Sequence, residues 1–318
     1  MATMKAVRIH EFGNVDVLKY EDIERPEPQV GEVLVQVRAV GINPVDFVSR
    51  KIPIPGITAG NLPYILGWDI AGSVVALGEG VTQFRIGDEV YGMPRFPGEA
   101  GAYSEYITSP VADLALKPQR LTHQEAAGIP LAALTAWQAL FDTAHLQAGQ
   151  TVFISGGAGG VGHYAIQLAK WKDAQVIATT STRNVEFVRD LGADIVIDYT
   201  RQASIDSIKD VDVVLDTIGG DVLKNSFEVV KRGGSIVSLP GHLGVKALGD
   251  QLAPQYGVDF AVILVHPSGE QMAEMTKLAN AGQLKTHLDG VFPLKDVAEA
   301  HKLSESRHVR GKLVLTLE

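Results

Sequence analysis

The chain has 318 residues, of which 46% are hydrophobic and 20% charged, with a net charge of −9 and no cysteine. That length and composition suit a folded protein of two ordinary domains and not a disordered chain. The acidic balance disfavours nucleic acid as a main partner, and the absence of thiols excludes disulfides and thiolate metal sites.

Residues 1–12 alternate apolar and polar side chains and include Lys5, Arg8, His10 and Glu11, without the continuous apolar segment of a secretion signal. No run approaches the roughly 18 apolar residues of a membrane span. A soluble, cytoplasmic protein with no membrane partner is expected. Up to about residue 120 the sequence reads as short strands punctuated by Gly and Pro. Gly31–Gly41 has a period of two, Ile70–Gly78 repeats it, and Gly87-Asp88 turns into Glu89–Gly92. A small, curled β domain follows from this pattern.

The texture changes near Thr122, where Thr122-His123-Gln124-Glu125 has the form of a capping box. Residues 124–143 support a helix that Pro130 can break. Strands and helices then alternate: strand 151–155, helix 161–172, strand 175–180, helix 184–191, and strands 195–197, 211–216 and 235–239. Apolar strands separated by helices predict a parallel, doubly wound sheet. From about Phe260 the chain mixes strand and helix and closes on the strand Lys312–Leu317, which reads as a return to the first domain. The expected extents are 1–124 with 261–318 for the β domain, and 125–260 for the α/β domain.

Gly157-Ala158-Gly159-Gly160-Val161-Gly162 is a G-x-G-x-x-G between an apolar strand and a helix. In that context the first glycine permits the turn, the second lets the backbone approach a pyrophosphate, and the third lets helix and strand pack closely. An NAD site usually places an acid about 20 residues on, to hold the ribose 2′-hydroxyl. Here the next strand ends in Thr179-Thr180-Ser181-Thr182-Arg183-Asn184, with no acid before Glu186. Hydroxyls and a guanidinium suit a 2′-phosphate. NADPH is therefore expected, with Ser181 and Arg183 as main contacts, Asn184 beside them, and Tyr199 within reach after the following strand.

Together these segments resemble the medium-chain dehydrogenase/reductases, in the zinc-free quinone oxidoreductase and enone (alkenal) reductase branch. The resemblance is carried by Gly41-Ile42-Asn43-Pro44-Val45-Asp46, Gly67-Trp68-Asp69-Ile70-Ala71-Gly72 with Gly87-Asp88-Glu89-Val90, Gly157–Gly162 with Gln167-Leu168-Ala169-Lys170, and Gly311-Lys312. It implies a GroES-like β domain from both termini, a Rossmann domain between them, ligands in the cleft, and a homodimer. Zinc-dependent relatives place Cys and His-Glu where this chain has Asn43 and Trp68-Asp69, so no metal is expected.

The resemblance also implies roles. Asn43 and Asp46 belong to the nicotinamide end, although an acid in an Asn-Pro-Val-Asp turn can equally serve only to cap backbone N–H groups. Gly160 and Val161 meet the pyrophosphate. Thr135, Leu239, Ile263, Leu264 and Val265 flank the nicotinamide, with His308 and Val309 as weaker members of the same set. Several quinone reductases carry a tyrosine, and several enone reductases a lysine, two residues after the motif aspartate. This chain has Val48 there, so that contact is missing or is supplied by Arg50 or Lys51. No proton donor is assigned; Tyr64 and bulk water are both open. The expected function is reduction of a quinone or an α,β-unsaturated carbonyl by NADPH. The alternative is an NADPH-binding redox sensor or structural protein with little turnover.

Overall fold

A computed structural model describes residues 2–201, 208–239 and 243–317. The chain opens with strands β1 (Thr3–Ile9), β2 (Lys19–Glu24) and β3 (Glu32–Ile42), followed by helix α1 (Pro44–Lys51). Strands β4 (Tyr64–Ile65), β5 (Asp69–Leu77), β6 (Glu89–Gly92), β7 (Tyr106–Pro110) and β8 (Leu114–Leu116) follow. Next come α2 (His123–Ala127) and α3 (Pro130–Trp137), running into a π-helical turn at Gln138–Thr143.

The α/β stretch holds β9 (Thr151–Ile154), α4 (Gly162–Trp171), β10 (Gln175–Thr180), α5 (Val185–Asp190), β11 (Ile195–Asp198), β12 (Val211–Asp216), α6 (Gly220–Ser226), β13 (Val230–Ser238), α7 (Leu243–Tyr256) and β14 (Asp259–Val262). The chain closes with α8 (Gly269–Asn280), β15 (Leu288–Pro293), α9 (Val297–Glu305) and β16 (Lys312–Thr316).

Two compact units result, Met1–Leu134 with His266–Glu318, and Thr135–Val265. Helix α2 packs on β3 and β5 of the first unit. The expected helix over 124–143 is interrupted. The Gly128 N–H bonds to Glu125 O, ending α2, and Pro130 takes the first turn of α3, where its missing N–H costs nothing. The capping box at Thr122 forms: the Glu125 carboxylate accepts the Thr122 N–H at 2.8 Å, and the Thr122 hydroxyl accepts the Glu125 N–H at 3.2 Å.

In the first unit one sheet orders as β15-β16-β3-β5-β6-β8, with β7 also paired to β3, and a second as β2-β1-β4. The long β3 is central: Val33, Val35, Val37 and Ala39 bury one face completely, while Gln36 and exposed Arg38 interrupt the other. Antiparallel pairing sets Leu313 of β16 opposite Ile42 and Asp69 of β5 opposite Gly41. Those two registers bring Asn43, Asp69 and Lys312 to one place.

In the second unit all strand pairs are parallel, in the order β11-β10-β9-β12-β13-β14. The order reverses between β9 and β12, the position where open α/β sheets bind ligands beyond the strand carboxyl ends. Phe153, Val214, Phe227 and Ile236 form part of the buried core beneath. Strand β13 begins five residues before the expected Ser235, across a register irregularity opposite Val211–Val213.

Candidate active site

Asn43 links β3 to α1 as the helix N-cap. Asp46 turns back so that its Oδ2 accepts the Asn43 backbone N–H at 2.9 Å, half of a capping box. The Asn43 side chain leaves the cap and turns inward. It is 1% exposed; its Nδ2 donates to Asp69 Oδ2 at 2.8 Å, and its Oδ1 accepts from Lys312 Nζ at 2.5 Å. Lys312 is itself 3% exposed and donates also to the Ile42 carbonyl at 2.9 Å, with its ammonium 4.0 Å from Asp69 Oδ2. Asp69 Oδ1 accepts the Leu131 N–H at 2.9 Å.

The amide is thus clamped from both ends, with its orientation fixed by a donor-only ammonium and an acceptor carboxylate. One of its two N–H groups stays uncommitted among the described residues. Burial dominates the electrostatics. It raises Asp46 to about 7 and Asp69 to about 6, against the opposing pull of hydrogen bonds and Lys312, and it lowers Lys312.

In the second unit, the turn after β9 is closed by backbone bonds from Gly157 N–H to Thr179 O and from Gly159 N–H to Gly156 O. A Cβ added at Gly162 would lie 2.3 Å from the Gly156 carbonyl oxygen, and one at Gly157 3.0 Å from the Ala178 Cβ. At Gly159 a Cβ would meet only Gly156 O, at 3.3 Å. Gly162 is therefore required by the turn itself, while a Cβ at Gly159 would press on a single backbone oxygen that need give only a few tenths of an ångström. This is the cradle expected of a turn that receives a pyrophosphate.

Most expected dinucleotide contacts gather at the carboxyl ends of the parallel strands. Ser181, exposed Arg183 and buried Asn184 follow β10, and the Asn184 amide donates to Ser181 Oγ at 3.4 Å. Tyr199 follows β11 and is 63% exposed. Leu239 follows β13, and Ile263, Leu264 and Val265 follow β14, with Val265 buried and Leu264 exposed. Thr135 is buried in α3. In the first unit His308 and Val309 lie in the turn before β16, His308 exposed and bonded to Ser306.

The family described as "Zinc-binding dehydrogenase" matches residues 191–315, and "Alcohol dehydrogenase GroES-like domain" matches residues 29–119. An Arabidopsis thaliana protein named "NADPH-dependent alkenal/one oxidoreductase, chloroplastic" is 37% identical over 98% of this chain and 79% of its own length. The chain is a medium-chain dehydrogenase/reductase. A 2-methylene-furan-3-one reductase of Solanum lycopersicum is 36% identical over the same shares, 98% and 79%. The solved quinone oxidoreductase of Coxiella burnetii superposes with a TM-score of 0.91 at 36% identity, covering 100% of both chains. The protein is a nicotinamide-dependent oxidoreductase of a GroES-like and a Rossmann-type unit.

Despite one family description, the residues of this oxidoreductase do not fit zinc. The family's ligand positions hold Asn43, Trp68 and Asp69. The Trp68 indole N–H is spent on the Gly98 carbonyl at 2.7 Å, and the Asn43 oxygen is spent on a buried ammonium that would repel a divalent cation. Among the described residues no group of three or more His, Cys, Asp or Glu is placed to hold a metal. No helix among them is long and apolar enough to cross a membrane.

Sequence reasoning missed several residues of the oxidoreductase. Lys312 was visible only as part of Gly311-Lys312, although a lysine heading an otherwise apolar strand is itself a signal of a buried partner. Tyr64, an open candidate for proton donor, is fully buried, and its hydroxyl has no hydrogen-bond partner among the described residues. Arg50 and Lys51 both reach Glu305, and buried Arg50 also reaches His301. Asp216 gave no sequence signal. Its buried carboxylate accepts from Ser155 Oγ, Ser238 Oγ and the N–H groups of Ile218 and Gly219, tying together the ends of β9, β12 and β13.

Proposed function

We propose that this oxidoreductase uses NADPH to reduce a quinone or an α,β-unsaturated carbonyl without a metal. The observation that carries the reading is the Lys312–Asn43–Asp69 cluster, in which a buried ammonium engages residues at two of the positions where zinc-dependent relatives place ligands. Without a Lewis acid, a simple ketone or alcohol is a poor partner. A conjugated acceptor spreads the developing charge onto a remote oxygen and needs chiefly orientation and exclusion of water. NADPH, when bound, supplies the hydride.

The chain's own residues bind and orient. Gly157, Gly159, Gly160, Val161 and Gly162 take the pyrophosphate. Ser181, Arg183, Asn184 and Tyr199 take the 2′-phosphate. Thr135, Leu239 and Ile263–Val265 flank the nicotinamide. Asn43, held by Asp46, offers its uncommitted N–H to a ligand oxygen. The names of the Arabidopsis and Coxiella proteins support both the cofactor and the acceptor class. The edge of β14, unpaired among the described residues, with Leu264 66% exposed just beyond it, supports a homodimer joined at that edge.

One observation favours NADH instead. Asp198, at the end of β11, is an acid near the proposed 2′-phosphate contacts, and its carboxylate accepts from the Thr182 hydroxyl at 2.6 Å. Thr200 and Arg201 also engage it, which offsets its charge. Arg183→Ala decides between the readings. The KM for NADPH should rise roughly 10- to 100-fold, as for a lost hydrogen bond to a charged group. The KM for NADH should barely move, and equal effects on the two would refute the 2′-phosphate assignment. Across an ortho-quinone, a para-quinone, a short enone, an alkenal and a simple ketone, only the conjugated acceptors should turn over.

A further inference from the structure

Behind Asp46 runs a chain of buried side chains that the proposed chemistry does not use. Its Oδ2 accepts from the Tyr103 hydroxyl at 2.9 Å. The same Tyr103 oxygen lies 2.9 Å from His301 Nε2, and His301 Nδ1 lies 3.0 Å from Arg50 Nη1. Arg50 is fully buried and anchored further by the Gly13 carbonyl and by Glu305, which also pairs with Lys51. The links come from α1, α9 and the segment between β6 and β7, joining residues up to 255 positions apart.

The direction of every hydrogen in this chain follows from Arg50. A guanidinium only donates. His301 Nδ1 must therefore accept, and a neutral imidazole then carries its hydrogen on Nε2. Burial, with the Arg50 charge, keeps the ring neutral by lowering its pKa to about 3. Nε2–H donates to Tyr103, and Tyr103 donates to Asp46. All the donors point toward one carboxylate oxygen, which also takes the Asn43 N–H.

We propose that Tyr103 and His301, oriented by Arg50, are positioning residues that hold the Asp46 carboxylate and through it the Asn43 cap. The proposal rests on the reading that Asn43 meets a ligand. The chain is not a conduit for protons from solvent, because it ends in a guanidinium that does not release one. Other charged or titratable groups also act on Asp46. They are Asp69 of β5, Lys312 of β16 and Tyr64 of β4, whose buried hydroxyl, like Asp46 Oδ1, has no hydrogen-bond partner among the described residues.

The test is an infrared pH titration of the Asp46 carboxyl in the full-length protein, assigned by its loss in Asp46→Asn, alongside kcat against pH with a conjugated acceptor. Tyr103→Phe keeps the ring but removes the donor to the charged form. The Asp46 midpoint should rise by about one pH unit. The acid limb of kcat should move with it, while the KM for NADPH stays unchanged. His301→Leu should shift both in the same direction. His301→Gln, which keeps a donor and an acceptor, should restore both toward wild type. A lower thermal midpoint in Tyr103→Phe and His301→Leu with no movement of the Asp46 titration would overturn the proposal and leave only a packing role. A moved titration in a protein that reduces none of the acceptors would uphold the positioning of Asp46 and sink the functional reading instead.

Discussion

Lys312→Met should destabilise the first unit by about 3–5 kcal/mol at pH 8, the range for removing one partner of a buried ion pair. The methionine fills much of the lysine stem's volume, so the loss is electrostatic and not a cavity. Three acceptors are affected at once: the Ile42 carbonyl, Asn43 Oδ1 and, across 4.0 Å, the Asp69 carboxylate. For a unit of this size, the thermal midpoint should fall by roughly 10 °C.

The pH dependence has a definite sign. Asp69 already sits at about 6 in the fold, above its ordinary 3.8, so the folded state binds its proton more tightly than the unfolded chain. Its contribution is fully present below pH 3.8 and is lost as pH rises toward 6. Without Lys312 that pKa rises further, and the window of loss extends upward. The deficit of the variant against wild type should therefore grow from acid to alkaline pH. Asp69→Asn in the same background should recover much of it. A Lys312→Met protein as stable as wild type at pH 8 would mean that the ammonium is not needed to compensate Asp69.

Gly162→Ala and Gly159→Ala should separate the two jobs of the glycine turn. At Gly162 the added Cβ meets backbone on two sides, 2.3 Å from Gly156 O and 2.9 Å from Gly157 Cα. No rotamer relieves that, so the turn between β9 and α4 has to shift. Both stability and NADPH affinity should fall, affinity by roughly 100-fold or about 2.7 kcal/mol. At Gly159 a Cβ meets one oxygen among the described residues, at 3.3 Å, so Gly159→Ala should lose far less thermal stability than Gly162→Ala and still lose dinucleotide affinity. Isothermal titration with NADPH beside a thermal scan reads both. If Gly159→Ala binds NADPH as wild type does, the pyrophosphate does not approach that backbone.

What the sequence made legible was mostly local. The glycine turn, the strand before it and the helix after it lie within about twenty residues, and their spacing states their geometry. The same holds for Thr122–Glu125 and for Asn43–Asp46, whose backbone-capping bond is one of the two roles the motif left open. The fold class followed from strand–helix alternation, and the family from motifs in the right order. The break in the helix over 124–143 was also local: Pro130, where a break was expected, opens α3 just after the backbone turn at Gly128 has ended α2.

The non-local chemistry was illegible for a different reason. Lys312 meets Asn43 only because β16 pairs antiparallel with β3 in one register, and His301 meets Arg50 only because α9 packs on α1. Neither partner can be read from spacing when 251 residues separate them. Asp216 similarly becomes a tie among strand ends only once the parallel order of β9, β12 and β13 exists.

The most direct measurement is NADPH oxidation by a conjugated acceptor, before and after exhaustive chelation, with the metal content of the same sample determined. The rate should survive chelation unchanged in protein free of stoichiometric zinc. A rate abolished by chelator and restored by zinc would contradict the metal-free reading. NADPH binding without oxidation by any acceptor would replace the reductase with a dinucleotide sensor.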